Sequence, residues 1–171
     1  MSSQQPWIER RFEFDTAVEL YPQLIKRLRE TPARLEEVVS SVAGELLVRR
    51  HEDSWSIQEN VGHLGDLEDL VDGRLDDFQA GAEELRPADM SNQATRLAGH
   101  NEKKIEDLLR RFRDRREAYV ARLESLSPDD FARSAHHRRL GVRMRLIDQL
   151  FFQAEHDDHH LARIRQLSQG P

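Results

Sequence analysis

The amphipathic pattern of residues 105–123 constrains the fold more than any other feature of the sequence. Its apolar side chains recur at helical spacing and fall within a narrow arc of a helical wheel: Ile105, Leu108, Leu109, Phe112, Val120 and Leu123. A helix with one apolar face must bury that face against other elements. The pattern predicts a long helix over about residues 97–126 inside a helical domain.

Three further segments have helical periodicity. The first begins between Asp15 and Tyr21 and is interrupted at Pro32, because proline removes a backbone donor and favours a kink or a new first turn. The second covers about residues 56–80 and the last about residues 144–167. Four long helices without a strand pattern predict an all-α fold, a four-helix bundle.

The segments between these helices are polar. Residues 81–95 predict a long crossover loop, residues 127–132 a short capped turn and residues 134–143 a polar loop. Residues 1–14 contain isolated aromatic side chains and predict an N-terminal arm that packs loosely. No shift in composition divides the chain, so we expect residues 1–171 to form a single domain.

The composition excludes several classes of site and partner. The chain has no cysteine, so disulfides and thiolate ligands are excluded and any metal must be held by nitrogen and oxygen. A net charge of −6 disfavours a nucleic-acid partner, and the arginine run at residues 110–116 is interspersed with acids, which is typical of a solvated helix face. Without a long apolar run or a signal-like N-terminus, we expect a soluble cytoplasmic protein without a membrane partner.

Three of the eight histidines lie within residues 155–160. On a helix His156 and His160 share one face a turn apart, close enough to bind one ion. A divalent ion usually takes three or more protein ligands, and His63 is the best candidate for the third. His159 is the alternative to His156. Such a pair also arises by chance in a histidine-rich chain, so spacing alone leaves a metal site and ordinary structural histidines equally open.

Three acidic residues are candidates for supporting roles at such a site. Asp157 projects into the apolar arc of the last helix and needs a hydrogen-bond partner: a backbone N–H, an imidazole, or a Trp or Ser near residues 54–56. Asp66 and Glu59 could contact a ligand or accept a proton, although Glu59 also fits a capping box with Ser56. The other histidines are predicted to be surface or loop residues, the last two able to approach the site: His51, His100, His136 and His137.

Two motifs resemble the DinB/YfiT-like superfamily of metal-binding four-helix bundles: Trp55-Ser56 with Glu59 and Gly62-His63-Leu64, and His156-Asp157-x-His159-His160-Leu161-x-x-Ile164. The resemblance covers most of the chain, from the first helix to the end. It implies one divalent ion, nickel or zinc, bound by His63, His156 and His160, with no other cofactor. It also implies a homodimer, because bundles of this family often pair.

The resemblance further implies a class of activity. The family includes thiol-dependent transferases and isomerases, together with proteins of unassigned activity described as hydrolases. We therefore expect a metal-dependent enzyme of S-transferase, isomerase or hydrolase type that acts on a small molecule, with a low-molecular-weight thiol as one candidate. The alternative is a non-catalytic, metal-stabilised dimer that serves as a binding or stress-response module. The sequence assigns no catalytic residue, and neither the substrate nor the metal follows from it.

Overall fold

The structure describes residues 5–51 and 54–169, which contain six α-helices, four short 3-10 helices and one short hairpin. In this computed structural model the helices are α1 (Tyr21–Ser40), α2 (Gly44–Leu47), α3 (Ile57–Gln79), α4 (Gln93–Leu97), α5 (Ile105–Glu124) and α6 (Leu146–Ser168). The hairpin strands are β1 (Ser134–His137) and β2 (Val142–Arg145). Residues 1–4 of the predicted arm lie outside the described residues, and a single domain over the whole chain stays a prediction.

The four long helices form a bundle in which α1 and α3 each pack against both α5 and α6. Two apolar clusters fill it. α1 passes from Leu28 in the first cluster to Leu35 in the second, whereas α3 passes from Leu64 in the second to Leu75 in the first. α6 follows the direction of α1, and α5 that of α3. The predicted four-helix bundle is confirmed, and none of the helices within the described ranges has the length and apolarity that a membrane crossing needs.

The connection between α3 and α5 is longer and more structured than predicted. The predicted helix over residues 97–126 is wrong at its start, because α5 begins only at Ile105. Gly99 has a φ of +60°, a left-handed conformation that an α-helix excludes, and Leu97 is 76% exposed. The short helix α4 therefore belongs to the crossover, where it packs against α3.

Pro32 lies inside α1 and does not interrupt it, contrary to the prediction. A proline cannot donate to the carbonyl four residues earlier, which here is that of Leu28. Nη1 of Arg116 donates to this carbonyl at 3.0 Å. The arginine replaces the missing hydrogen bond, and α1 continues to Ser40.

A buried polar layer separates the two apolar clusters, and each long helix contributes one residue to it: Thr31, Glu68, Arg116 and Asp157. The arginine donates to Glu68 at 2.7 Å and to Asp157 at 2.6 Å. The Thr31 hydroxyl donates to Asp157 at 2.8 Å. The predicted burial of Asp157 is confirmed, but the predicted partners are wrong, because the bundle places α1 and α5 beside this carboxylate. Ser56 donates to Asn101 instead.

Residues 134–145 form an antiparallel hairpin, where a polar loop was predicted. Ala135 pairs with Met144, and both side chains are buried. Each strand has only four residues, which is too short for its alternation to stand out in the sequence. A parallel bridge between Glu84 and His136 ties the crossover to β1 and fixes the hairpin against the bundle.

Candidate metal centre

Three histidines on two helices converge at one flank of the bundle. α3 supplies His63, and α6 supplies His156 and His160, one turn apart. One ring nitrogen of each lies within 4.8 Å of those of the other two, and Nε2 of His156 and Nε2 of His160 are 3.2 Å apart. The bundle thus brings together the three histidines that the sequence singled out.

The hydrogen bond to Asn60 determines which ring nitrogen of His160 carries the proton. The Asn60 Nδ2 donates to the carbonyl of Ser56 at 2.7 Å, so its Oδ1 faces the His160 Nδ1 at 2.8 Å and must accept a hydrogen bond. The His160 Nδ1 therefore carries the proton. Its Nε2 then presents a lone pair toward His156 and His63.

The proton of His63 is assigned in the same way by Thr95. The threonine hydroxyl donates to Oδ2 of Asp66 at 2.9 Å, so it must accept from the His63 Nδ1 at 3.0 Å. Asp66 also accepts from His100 at 2.7 Å and Arg111 at 2.8 Å. The His63 Nε2 therefore bears a lone pair. The Asp66 carboxylate orients the ring through the hydroxyl of Thr95, in a chain of two hydrogen bonds.

Asp66 is ionised and holds this chain of hydrogen bonds in place. Burial alone raises the pKa of Asp66, but the hydrogen bonds from His100 and Arg111 outweigh it and lower the pKa to about 2. The carboxylate is therefore charged at neutral pH.

The three imidazoles are neutral at neutral pH. Burial lowers the pKa of His63 to about 4. Burial, and after it the neighbouring imidazoles, holds the pKa of His156 and of His160 well below the usual value. Each ring can therefore offer an unprotonated nitrogen, the form that binds a metal.

The donor set fits a divalent ion. Bonds of about 2.1 Å in tetrahedral geometry place ligand nitrogens about 3.4 Å apart, close to the separation of the two α6 nitrogens. Three imidazoles without a thiolate suit borderline ions such as zinc, nickel and copper. The cluster could hold one metal ion.

The histidines form one wall of a cavity of about 240 Å³. Trp55 packs against His63 with ring centroids 4.6 Å apart, and Trp7 sets its edge against His156 at 4.9 Å. Most of the remaining wall is apolar. The arm that carries Trp7, predicted to pack loosely, is thus part of the wall; it also ion-pairs with the bundle through Arg10 and Glu155 at 2.9 Å.

The supporting acids that the sequence proposed differ in their contacts. Asp66 reaches His63 through one hydroxyl. Glu59 forms the predicted capping box with Ser56 and pairs with Arg50. Asp157 lines the cavity but bonds within the polar layer. His159 contacts Trp7 and His160 and lies outside the group of converging nitrogens found in the described residues.

Two of the other histidines are not surface residues. His100 is 1% exposed, because Gly62 leaves it room: a Cβ at position 62 would lie 2.3 Å from the His100 ring. His137 is 3% exposed and lines the cavity. The prediction of surface or loop positions is wrong for both, because the crossover and the hairpin bury them, whereas the prediction that His137 could approach the site is confirmed.

Two residues that orient the ligands were missed in the sequence. Asn60 lies three residues before His63, one helical turn away, and that spacing could have identified it. Thr95 comes from α4, 32 residues downstream, and no periodic signal connects it to the site.

Comparisons with known proteins agree with this architecture. The sequence-family model of the DinB superfamily matches residues 27–164 of this chain. YfiT from Bacillus subtilis, described as a probable metal-dependent hydrolase with an unusual four-helix bundle topology, has a TM-score of 0.82 at 22% identity, over 94% of this chain and 93% of its own. The colibactin self-resistance protein ClbS, solved with double-stranded DNA, has a TM-score of 0.63 at 16% identity, over 88% of this chain and 96% of its own.

The mycothiol-dependent maleylpyruvate isomerase has a TM-score of 0.62 at 14% identity, and the match covers 89% of this chain and 62% of the isomerase. No curated protein matches the chain significantly. These identities are low, so the structural matches establish the fold.

Proposed function

This chain belongs to the DinB superfamily, and we propose that it is a metal-dependent enzyme that holds one divalent ion, nickel or zinc, on His63, His156 and His160. The observation that carries the proposal is the convergence of three neutral imidazole nitrogens beside a cavity.

The residues around the histidines prepare them for this role. Asn60 and Thr95 hold the Nδ1 protons of two rings and so keep the Nε2 atoms available. Trp7 and Trp55 cover the rings and reduce the access of water. A divalent ion bound there would supply Lewis-acid chemistry, lowering the pKa of a water or thiol that reaches it.

We propose that the substrate is a small molecule and the reaction a hydrolysis or a thiol-dependent transfer or isomerisation. Three protein ligands would leave room for an exogenous ligand, and the cavity gives that ligand a path to the histidines. The relatives described as a probable metal-dependent hydrolase and a mycothiol-dependent isomerase support these two classes.

Neither carboxylate of the polar layer is assigned a role in proton transfer. Glu68 and Asp157 both line the cavity, but Arg116 binds each of them. A carboxylate held in a buried ion pair is a poor proton acceptor, because protonation would remove one of the two negative charges that balance the buried arginine.

We also propose that nucleic acid is not a partner, although ClbS was solved with DNA. The arginines of the run 110–116 are all ion-paired. Their partners are Asp107 for Arg110, Asp66 for Arg111, Glu36 for Arg113, Asp69 for Arg115, and Glu68 and Asp157 for Arg116. Paired arginines offer little charge to a phosphate backbone.

Calorimetric titration of the metal-free protein with Zn²⁺ and Ni²⁺ tests the metal site. We expect one ion per chain, and a loss of affinity of more than about 100-fold in His156→Ala, because a ligand is removed. The neighbouring His159→Ala is the matched control and should stay within about threefold of the unmodified protein. Equal losses in the two variants would contradict the assignment of His156 over His159.

Turnover by the metal-loaded protein tests the activity. We expect hydrolysis of p-nitrophenyl esters, or conjugation of chlorodinitrobenzene to small thiols, to follow metal occupancy and to disappear in His156→Ala. Tight metal binding without turnover, together with dimerisation that depends on the metal, would favour the non-catalytic module. Light scattering with and without metal also tests the predicted homodimer, which a monomer in both conditions would contradict.

A further inference from the structure

The cavity has a cationic side that the proposed metal centre does not use. Arg74 on α3 is only 4% exposed, and its guanidinium donates to uncharged acceptors, the Arg86 carbonyl at 3.1 Å and the Gln149 Oε1 at 3.3 Å. Asp77, on the same helix, is hydrogen-bonded to Arg86. Among the described residues, this buried guanidinium has no carboxylate partner.

A second guanidinium lies close to the first. Arg139, in the turn between β1 and β2, lines the cavity and has neither an ion pair nor a hydrogen bond within the described residues. Burial, followed by repulsion from Arg139, lowers the pKa of Arg74 to about 10, so the group stays charged at neutral pH. Burial and then the two arginines lower the pKa of His137 to about 4.

Among the described residues, none of the acids that line the cavity forms an ion pair with Arg74 or Arg139. Glu68 and Asp157 are bound to Arg116 in the polar layer. Asp89 is exposed and accepts hydrogen bonds from Ser91 and Gln93. Arg74 and Arg139 therefore form a cationic patch without a carboxylate partner on one side of the cavity.

An unpaired amide lies in the same wall. Gln153 on α6 is 6% exposed and precedes His156 by one turn. Neither its Nε2 nor its Oε1 has a hydrogen-bond partner among the described residues. A buried amide without partners costs free energy, and one amide of a ligand, with its N–H and its carbonyl, could satisfy both atoms.

We propose that the cavity binds a small carboxylic acid that also carries an amide, with the carboxylate on Arg74 and Arg139 and the amide on Gln153. The apolar walls, which include Leu67, Leu70 and Met90, suit an apolar group on the same molecule. This names the substrate class of the proposed enzyme and so rests on the proposed function. Binding to the arginines and the glutamine itself requires no metal.

Titration of the metal-free protein with hippurate and with its uncharged amide, hippuramide, tests the inference. N-acetylglycine and N-acetylglycinamide repeat the comparison at smaller size. Both tryptophans of the chain line the cavity, so intrinsic fluorescence reports binding. We expect each acid to bind at least about 10-fold more tightly than its amide, the contribution of a charge-assisted hydrogen bond.

Three variants locate the effect. Arg139→Gln should remove most of the preference for the acid, whereas Arg138→Gln, one residue earlier and paired with Glu84 outside the cavity, should keep it. Gln153→Leu should weaken acid and amide alike, at least about fivefold. Equal affinity for acids and amides, or equal effects of the two arginine variants, would overturn the inference. A metal site that fails in calorimetry while the acid preference persists would refute the proposed function and leave this binding site intact.

Discussion

The bundle contains two adjacent groups of buried polar residues that differ in how they are satisfied. In the polar layer, Arg116 is held between Glu68 and Asp157, and Thr31 completes the set. In the cavity, three imidazole nitrogens converge without an acid, the buried Arg74 and the exposed Arg139 lack a counter-ion, and the amide of Gln153 lacks partners within the described residues. The same helices, α3 and α6, contribute to both groups.

The difference separates a structural role from a binding role. Burial of polar groups is tolerated when the protein supplies their partners, as it does for Arg116. Groups left open beside a cavity retain their cost in the free protein, and a ligand can offset it on binding. Changes in the polar layer should therefore alter stability, and changes around the cavity should alter binding.

The largest effect is expected in the polar layer. Asp157→Ala should lower the free energy of unfolding by about 3–5 kcal/mol, because it leaves the buried Arg116 with only one of its two carboxylates. The adjacent Asp158→Ala, whose partners Arg27 and Arg34 are about one-third exposed, should cost about 1 kcal/mol or less. Chemical denaturation measures both. Equal losses of unfolding free energy in the two variants would show that the polar layer contributes no more to stability than an exposed ion pair.

A pair of buried threonines compares the two groups directly. Thr95→Val removes the acceptor of the His63 Nδ1 proton and should weaken zinc binding about 10- to 100-fold. Thr31→Val removes a donor to Asp157 and should leave zinc affinity unchanged, while costing about 1–3 kcal/mol of stability. Calorimetry measures the zinc affinity of both variants, and denaturation measures their stability. An equal fall in zinc affinity in the two variants would contradict the distinction between a structural polar layer and a binding cavity.

A smaller effect is expected in the titration of His137. Its pKa of about 4 lies below the usual value, so the native protein binds fewer protons than the unfolded chain between about pH 6.5 and 4, and stability falls as the pH drops through that window. Arg139→Gln removes one repelling charge and should raise this pKa, with less stability lost on acidification. Proton NMR of the imidazole measures the shift. Arg138→Gln should leave it unchanged, and a shift of the same size there would contradict a local effect of Arg139.

The bundle and the histidine cluster could be anticipated because both depend on local spacing. Apolar residues at helical intervals gave the four long helices, and the i, i+4 pair His156/His160 placed two rings on one face. His63 was the best candidate for the third member because it lies on a second amphipathic segment, and the motif resemblance then supported it.

What could not be anticipated depends on contacts distant in the sequence. Pro32 lies within a continuous helix, and Arg116 donates to the carbonyl that the proline leaves free. His100 and Thr95 reach α3 from a crossover that has no periodic pattern. Arg139 and His137 lie at the cavity because a hairpin of two four-residue strands places them there.

X-ray absorption spectroscopy of the zinc-loaded protein tests the central claim most directly. The account predicts three imidazole nitrogens at about 2.0–2.1 Å from the ion, with the rest of the coordination shell completed by light atoms from outside the chain. In His156→Ala the imidazole count should fall to two. A shell of carboxylate oxygens without imidazole scattering, or an unchanged imidazole count in that variant, would contradict it.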